Sequence, residues 1–346
     1  MTVFLTYFRW PVAMTIIGLM LTFLLGWQAG GSLGSALSFF TIGVVLAVLE
    51  ISLSFDNAIV NANKLKTMTP LWQQRFLTWG ILIAVFGMRI VFPLAVVAIA
   101  AQIGPISAIV LAASDPAAYA RIMDDAHLSI SAFGGSFLMM VALTYFIDHD
   151  KDVHWVQVIE SRLCRWAHMR GVELAIVLAL ATVFAMILPD DDGAAFLFSA
   201  VCGLLTFLAV ELLGQVLDAA SQSGDMAVRG GLGAFLYLEV LDASFSFDGV
   251  IGAFALTQHL FLIAIGLGIG AFYVRSMTIL LVHRETLAQF RYLEHGAFYS
   301  ILALSLVMFA NSVVHVPEIV TGLVGAGLIA LALLASIKDK RIAPSR

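Results

Sequence analysis

The chain has 346 residues, of which 61% are hydrophobic and only 12% are charged, and its formal net charge is −5. Ordinary soluble domains carry about 25% charged residues, so this composition, with a mean hydropathy of +0.99, excludes a water-soluble globular protein. The chain contains no phosphate-binding loop, nucleophile motif or basic nucleic-acid patch, and we therefore expect neither an enzyme nor a nucleic-acid partner.

Apolar runs of about 20 residues recur along the whole chain, and such runs are long enough to cross a hydrocarbon core of about 30 Å. We predict an all-α polytopic membrane protein that forms a single transmembrane domain over residues 1–346. The longest stretches predicted to be non-helical are 102–129 and 149–171. The ten predicted spans lie near 10–28, 36–60, 76–101, 130–148, 172–188, 194–217, 232–257, 260–282, 297–314 and 317–337.

The basic residues divide unevenly between the two sides of these ten spans. With the N-terminus in the cytoplasm, 15 of the 18 Lys and Arg residues lie in inside segments, Arg121 lies outside, and Arg89 and Arg275 lie within helices. Inside loops of membrane proteins carry an excess of Lys and Arg. This distribution predicts a multi-pass inner-membrane protein with both termini in the cytoplasm and the 189–193 turn outside.

Two stretches 192 residues apart have nearly the same sequence. Motif 1 (47–60) reads AVLEISLSFDNAIV and motif 2 (239–252) reads EVLDASFSFDGVIG, with seven of 14 positions identical. Both keep an acid followed six residues later by aspartate, Glu50 with Asp56 and Asp242 with Asp248, and Glu239 adds a fifth acid. A carboxylate at the bilayer centre costs about 2.5–3.5 kcal/mol, so acids there indicate a binding site or an ion path.

Motif 1 lies in predicted span 2 and motif 2 in predicted span 7, so they run in opposite directions through the membrane. The similarity continues from FGMR (86–89) to FYVR (272–275) in the following spans. An inverted repeat of three helices is typical of secondary transporters, whose site lies at the repeat interface near the midplane. We predict repeat one over about 36–148 and repeat two over about 232–314, with spans 1, 5, 6 and 10 peripheral.

Each motif alternates serine with a bulky apolar residue between its acids, as in SFSF at 244–247. This period-two pattern favours a locally unwound segment, which lipid tolerates only where it lines a polar cavity; an unbroken helix is the alternative. Oxygen-only ligands suit hard divalent cations such as Mn2+, Ca2+ or Mg2+, here a substrate rather than a bound cofactor. The candidate ligands are Glu50, Asp56, Asn57, Glu239, Asp242 and Asp248, with Ser54 and Ser246 in support.

At these residues the chain resembles the TerC family of integral membrane proteins, and most closely its longer TerC-like branch within the LysE-type exporter superfamily. The resemblance rests on the paired acid-x5-Asp motifs with Glu239 three residues before Asp242, and it covers roughly residues 40–315. It implies that five acids coordinate the ion, namely Glu50, Asp56, Glu239, Asp242 and Asp248. Members of the family are linked to Mn2+ efflux and to tellurite resistance.

Several features also have a structural interpretation. Arg89 and Arg275 either lock helices together by pairing with acids or act as counter-charges when no cation is bound. The acids at 190–192 either form an outer vestibule or, as we favour, cap a helix N-terminus. The His/Asp cluster at 149–154 either binds metal or, as we favour, is a solvated loop. The apolar spacing over 153–170 predicts an amphipathic helix at the membrane surface.

Three functions fit this sequence. The first, which we favour, is a secondary carrier that exports a divalent metal, preferably Mn2+, against protons. The second is a non-transporting membrane subunit of a tellurite- or stress-resistance complex, in which the acids are structural. The third is a carrier of another solute such as an amino acid, although the acidic motifs lack a group for its carboxylate. The expected partners are the metal ion and the lipid bilayer, and a homo-oligomer is left open.

Overall fold

A computed structural model of the chain describes residues 2–66, 68–148, 153–166, 171–221, 231–284, 286–314 and 316–342. Those residues form helices and their connections, with no strand among them, and this confirms the predicted all-α class. In chain order the helices are α1 Thr2–Gly30, α2 Leu33–Leu53, α3 Phe55–Leu65, α4 Pro70–Leu82, a π-helix Ile83–Val91, α5 Phe92–Ala100, α6 Pro105–Ser114, α7 Pro116–Asp125, α8 His127–Phe146, α9 Gln157–Trp166, α10 Val172–Ile187, α11 Asp190–Ser221, α12 Leu232–Leu256, α13 Leu260–His283, α14 Thr286–Gln289, α15 Leu293–Ala310 and α16 Glu318–Ile342.

Eight helices within the described ranges are long and apolar enough to cross a membrane, or nine if the bent pair α6–α7 forms one span. The ten predicted spans fall largely on helical residues, although 36–60 covers both α2 and α3, and 76–101 covers α4, the π-helix and α5. However, α10 has only 16 residues, and α12 carries the three acids of motif 2. The chain is therefore a multi-pass membrane protein. The eight spans are α1, α2, the continuous run Pro70–Ala100, α8, α11, α13, α15 and α16.

The prediction of two long non-helical stretches was wrong, since 149–171 contains α9 and 102–129 is also mostly helical. This stretch contains α6 and α7, which meet at an angle of 120°. Each of them begins with proline, at Pro105 and Pro116, and proline at the first helical position needs no N–H partner. Between them Asp115 has φ −140° and ψ 75°, outside the helical region, and its side chain accepts the Ala118 N–H at 3.0 Å. The short apolar runs are thus two capped helices rather than a loop.

The chain divides into two compact units. Unit 1 comprises Met1–Phe55, Pro70–His127 and Phe245–Leu280, and unit 2 comprises Asp56–Thr69, Leu128–Ser244 and Leu281–Arg346. Of the five divisions along the chain, one falls inside motif 1 and one inside motif 2. Each unit therefore contains part of both motifs.

In unit 1, glycines allow α2 to lie close to its neighbours. A Cβ atom at Gly43 would come within 2.9 Å of Thr22 in α1, and one at Gly266 in α13 would come within 2.6 Å of Leu46. Small residues at such crossings let membrane helices approach closely. Leu46 also belongs to a buried cluster with residues of α12 and α13, namely Val250, Ala253, Ile263 and Leu267. Glu50 lies one helical turn after Leu46 on α2, so the α2–α13 contact also positions Glu50.

In unit 2, α15 contacts helices on several sides. A Cβ atom at Gly135 in α8 would lie 2.8 Å from Phe309, and one at Gly296 would lie 3.2 Å from the Leu328 carbonyl oxygen in α16. Phe309 also packs edge-on against Phe196 of α11, with ring centroids 5.1 Å apart. These contacts fix the position of α15. That helix in turn supplies a hydrogen-bond partner to Asp56, the second acid of motif 1.

Candidate functional site

In motif 1 the helix is interrupted between the two acids. Helix α2 ends at Leu53, and Ser54 follows as its C-cap with φ −99° and ψ 17°, its N–H bonded to the Glu50 carbonyl at 3.0 Å. Helix α3 begins at Phe55, so Asp56 lies in its first turn. A carboxylate is favoured at a helix N-terminus because the exposed N–H groups are positive there. The predicted break is therefore confirmed in motif 1.

Motif 2, by contrast, lies within the unbroken helix α12, so the predicted unwinding was wrong there. Ser244 satisfies its hydroxyl group inside the helix by donating to the Val240 carbonyl at 3.0 Å. A serine bonded in this way needs no break in the helix, and the alternation with phenylalanine does not force one. Ser246 is buried in unit 1, whereas the side chains of Phe247 and Asp248 lie outside the described part of the structure.

In unit 1 the acid of motif 1 forms an ion pair. Glu50 and Arg89 are both 4% exposed, and Arg89 Nη2 donates to Glu50 Oε1. The other guanidinium nitrogen, Nη1, donates to the Ala84 carbonyl, and Ser54 Oγ donates to Glu50 Oε1 at 3.1 Å. Arg89 lies in the π-helix Ile83–Val91, a wider helix often found at functional sites. The carboxylate of Glu50 is thus neutralised by a buried arginine.

Motif 2 approaches the same carboxylate in unit 1. A Cβ atom at Gly249 would lie 3.4 Å from Glu50 Oε2, so the residue after Asp248 passes beside Glu50. Arg275, the counterpart of Arg89 in repeat two, is also buried, and its guanidinium carbon lies 3.9 Å from the ring centroid of Phe76. Such a cation–π contact stabilises a desolvated guanidinium by about 2 kcal/mol.

In unit 2 the two motifs meet around Asp242. Asn57 Nδ2 donates to Asp242 Oδ1, and Asn61 Nδ2 lies 3.4 Å from the same oxygen. The neighbouring acid Asp56 accepts a hydrogen bond from Ser300 Oγ at 2.7 Å. All five side chains are at most 6% exposed. Glu239, one turn before Asp242 on α12, is likewise buried in unit 2.

Two amide oxygens beside Asp242 are unsatisfied. Asn57 Oδ1 and Asn61 Oδ1 are both buried, and neither has a hydrogen-bond partner among the described residues. Their orientation follows from the network, because both NH2 groups face a carboxylate that can only accept. A buried acceptor without a partner costs about 1–3 kcal/mol, so this arrangement favours a ligand that accepts electron pairs from oxygen. A cation has that property.

The oxygen atoms of this group are of the chemical types that bind hard cations. Carboxylate and amide oxygens are ligands of Ca2+, Mg2+ and Mn2+. Within the described ranges no three His, Cys, Asp or Glu side chains lie close enough together to hold a metal ion. The group in unit 2 instead combines few charges with neutral amides. The side chain of Asp248, the remaining acid of motif 2, lies outside the described residues.

Sequence reasoning missed two members of this group. Asn61 lies four residues after Asn57, a spacing that places both amides on one face of α3. That spacing was visible in the sequence and could have identified Asn61. Ser300 carried no such signal, since it lies 244 residues from Asp56 in an ordinary apolar span.

The other predicted clusters have simpler outcomes. Asp190, Asp191 and Asp192 form the exposed first turn of α11, which agrees with the capping interpretation. The predicted amphipathic helix corresponds to α9, Gln157–Trp166. In the His/Asp cluster only His154 is described, and His149, Asp150 and Asp152 lie outside the described residues.

A search of curated proteins and a search of solved structures each found no match to this chain. One family model matches residues 55–343, which include all of motif 2 and, from motif 1, Asp56 and Asn57. Glu50 and Ser54 precede the matched region. The match covers well over half of the chain, which therefore belongs to the family described as "Protein of unknown function (DUF475)".

Proposed function

We propose that this protein is a secondary carrier of the inner membrane that exports a divalent cation, with Mn2+ as the favoured substrate, against protons. The observation that carries the proposal is the group around Asp242 in unit 2, where two buried amide oxygens have no described hydrogen-bond partner beside a buried carboxylate. A hard cation would satisfy these oxygens. Neither thiol nor imidazole belongs to the group, which argues against Zn2+ or Cu+.

The resemblance to the TerC family supports the choice of Mn2+, and the duplicated motifs support the architecture. In this proposal the chain has ten spans, an inverted repeat of three helices and both termini in the cytoplasm. An inverted repeat provides the two alternating states that a carrier needs. Asp56, adjacent to Asn57 and held by Ser300, is the second acid of the binding site.

Flux through purified protein in liposomes tests this function. Liposomes that contain a Mn2+-quenched dye should lose fluorescence when Mn2+ is added, and a pH gradient should change the rate. Asp242→Asn or Asp56→Asn should slow the flux at least tenfold, because about 1.4 kcal/mol of lost binding already gives a factor of ten. Asp339→Asn, a half-exposed acid of α16 that faces Arg291, is the matched control. Wild-type protein that folds but carries no Mn2+ would refute the proposal.

A second candidate, a non-transporting subunit of a tellurite- or stress-resistance complex, is favoured by the ion pair of Glu50 with Arg89. In that ion pair the protein itself compensates the charge of the buried Glu50 carboxylate, without a bound cation. Asn61→Leu separates the two functions, because it removes the unsatisfied amide while keeping the number and branching of the side-chain heavy atoms. A cation site loses Mn2+-induced thermal stabilisation in this variant, whereas a purely structural site shows no Mn2+ stabilisation in either protein. Asn63→Leu, on the same helix but bonded to Glu294 at 2.6 Å, is the control.

A further inference from the structure

A buried carboxylate outside both motifs joins α9 to α15 in unit 2. Glu160 of α9 is 0% exposed. Its Oε1 accepts hydrogen bonds from the Trp155 and Val156 N–H groups at 3.2 and 3.1 Å and from the Tyr299 hydroxyl group at 3.2 Å. The first two bonds satisfy backbone N–H groups at the start of α9, which have no partner within the helix. The third connects α9 to a transmembrane helix.

Two histidines approach the other oxygen of the same carboxylate. His154 Nδ1 lies 3.4 Å and His295 Nε2 lies 3.5 Å from Glu160 Oε2. His295 Nε2 also lies 2.8 Å from the Val153 carbonyl oxygen. Because a carbonyl oxygen can only accept, this nitrogen carries a proton. His295 is 4% exposed, whereas His154 is 23% exposed.

Negative charges lie near these imidazoles. Tyr145 of α8 packs edge-on against His295, with ring centroids 5.6 Å apart, and it interacts electrostatically with Glu160, Glu294 and Asp148. Burying an anion is costly unless a positive charge or several donors compensate it. A proton on either histidine would supply that charge, and histidine is the side chain that ordinarily changes charge between about pH 5 and 8.

We propose that Glu160, His154 and His295 form a proton-binding site that docks α9 onto α15. The docked state binds a proton that the undocked state releases, so docking is strongest at low pH and weakens as pH rises through the histidine range. Tyr299 and His295 face Glu160 from α15, and His154 faces it from the segment before α9. The ligand of this site is the proton, and no metal is involved.

Helix α15 links the docking of α9 at this site to the candidate cation group. Glu294 of α15 accepts a hydrogen bond from Asn63 of α3. Ser300 of α15 donates a hydrogen bond to Asp56 of α3. One helix thus contacts α9 at its proton site and α3 beside the acid of motif 1. The position of α9 on α15 would therefore make the segment around Asp56 sensitive to pH on the side of the membrane where α9 lies.

Hydrogen exchange of the full-length protein in nanodiscs tests the proposal without any metal, so the result is independent of cation transport. After correction with an unstructured reference peptide, protection of the 157–166 amides should fall between about pH 6 and 8, by up to about tenfold per pH unit for one linked proton. Glu160→Gln keeps an acceptor for Trp155, Val156 and Tyr299 but loses the charge. Its protection should be independent of pH, and His154→Gln should weaken the dependence.

His259→Gln is the matched control, because His259 lies in unit 1, where it packs against Phe39. This variant should keep the wild-type pH dependence. Equal protection of wild-type α9 at both pH values would overturn the proposal. A full pH dependence that persists in Glu160→Gln would also overturn it and leave Glu160 as a helix cap alone.

Discussion

At the scale of single residues, the buried charges of the two motifs are compensated in different ways. Glu50 is paired with a guanidinium group, whereas Asp242 receives amide hydrogens from Asn57 and Asn61. An ion pair neutralises the carboxylate fully. Amide donors leave its negative charge in place, together with two amide oxygens that face no described partner. The second arrangement is the better receptor for a cation.

The pairing of Glu50 predicts how Arg89→Gln will behave. Removing one member of a buried ion pair costs about 3–5 kcal/mol, because its partner remains buried and charged. We expect a lower melting temperature in metal-free detergent and a substantial recovery when Mn2+ is added, since a bound cation can replace the lost charge. Arg275→Gln should show a smaller loss of the same kind.

Thermal unfolding measured with and without Mn2+ checks this prediction. Arg121→Gln is the control, because Arg121 is exposed and its loss should leave the melting temperature unchanged. If Mn2+ restores nothing to Arg89→Gln, then Arg89 is a structural pin and the non-transporting function is favoured.

At the scale of helices, close packing rather than local sequence positions Glu50. A Cβ atom at Gly270 of α13 would overlap the Cβ and Cγ atoms of Glu50 and would lie 3.1 Å from the Ala47 carbonyl oxygen. We predict that Gly270→Ala lowers the free energy of unfolding by about 1–3 kcal/mol, because α2 must shift to make room. Thermal unfolding in detergent measures the loss.

Gly327→Ala in α16 is the matched control for this change. No atom would lie within 4 Å of a Cβ there, and alanine favours a helix over glycine by about 1 kcal/mol. The control should therefore be neutral or stabilising. Equal melting temperatures for the two alanine variants would show that the α2–α13 contact does not constrain Glu50.

At the scale of the whole molecule, the distribution of basic residues predicts the orientation in the membrane. The predicted 189–193 turn, which includes the first turn of α11, should face outward. In a protein with Cys164 and Cys202 replaced by serine, Asp191→Cys should react with an impermeant maleimide in intact cells, since Asp191 is exposed. Lys338→Cys, exposed near the end of α16, should react only after permeabilisation. The reverse labelling pattern would contradict the predicted topology.

The amino-acid sequence by itself determined the all-α membrane class, the places of the long apolar helices and the acids of the two motifs. These features depend on local properties, namely the length of an apolar run relative to the bilayer and the cost of a charge within it. The break at Ser54 was also local enough to predict. The same pattern failed at Ser244, where a bond to Val240 satisfies the hydroxyl group within the helix.

Only the tertiary structure decided which groups meet. Asp242 lies 185 residues from Asn57, and Glu50 lies 39 residues from Arg89. Ser300 and Glu160 had no distinguishing pattern, because a single polar residue in a helix carries no mark of its partner. The periodicity of a sequence reports the local structure of its own segment, whereas pairing depends on how closely distant helices pack and on which polar atoms that packing deprives of water.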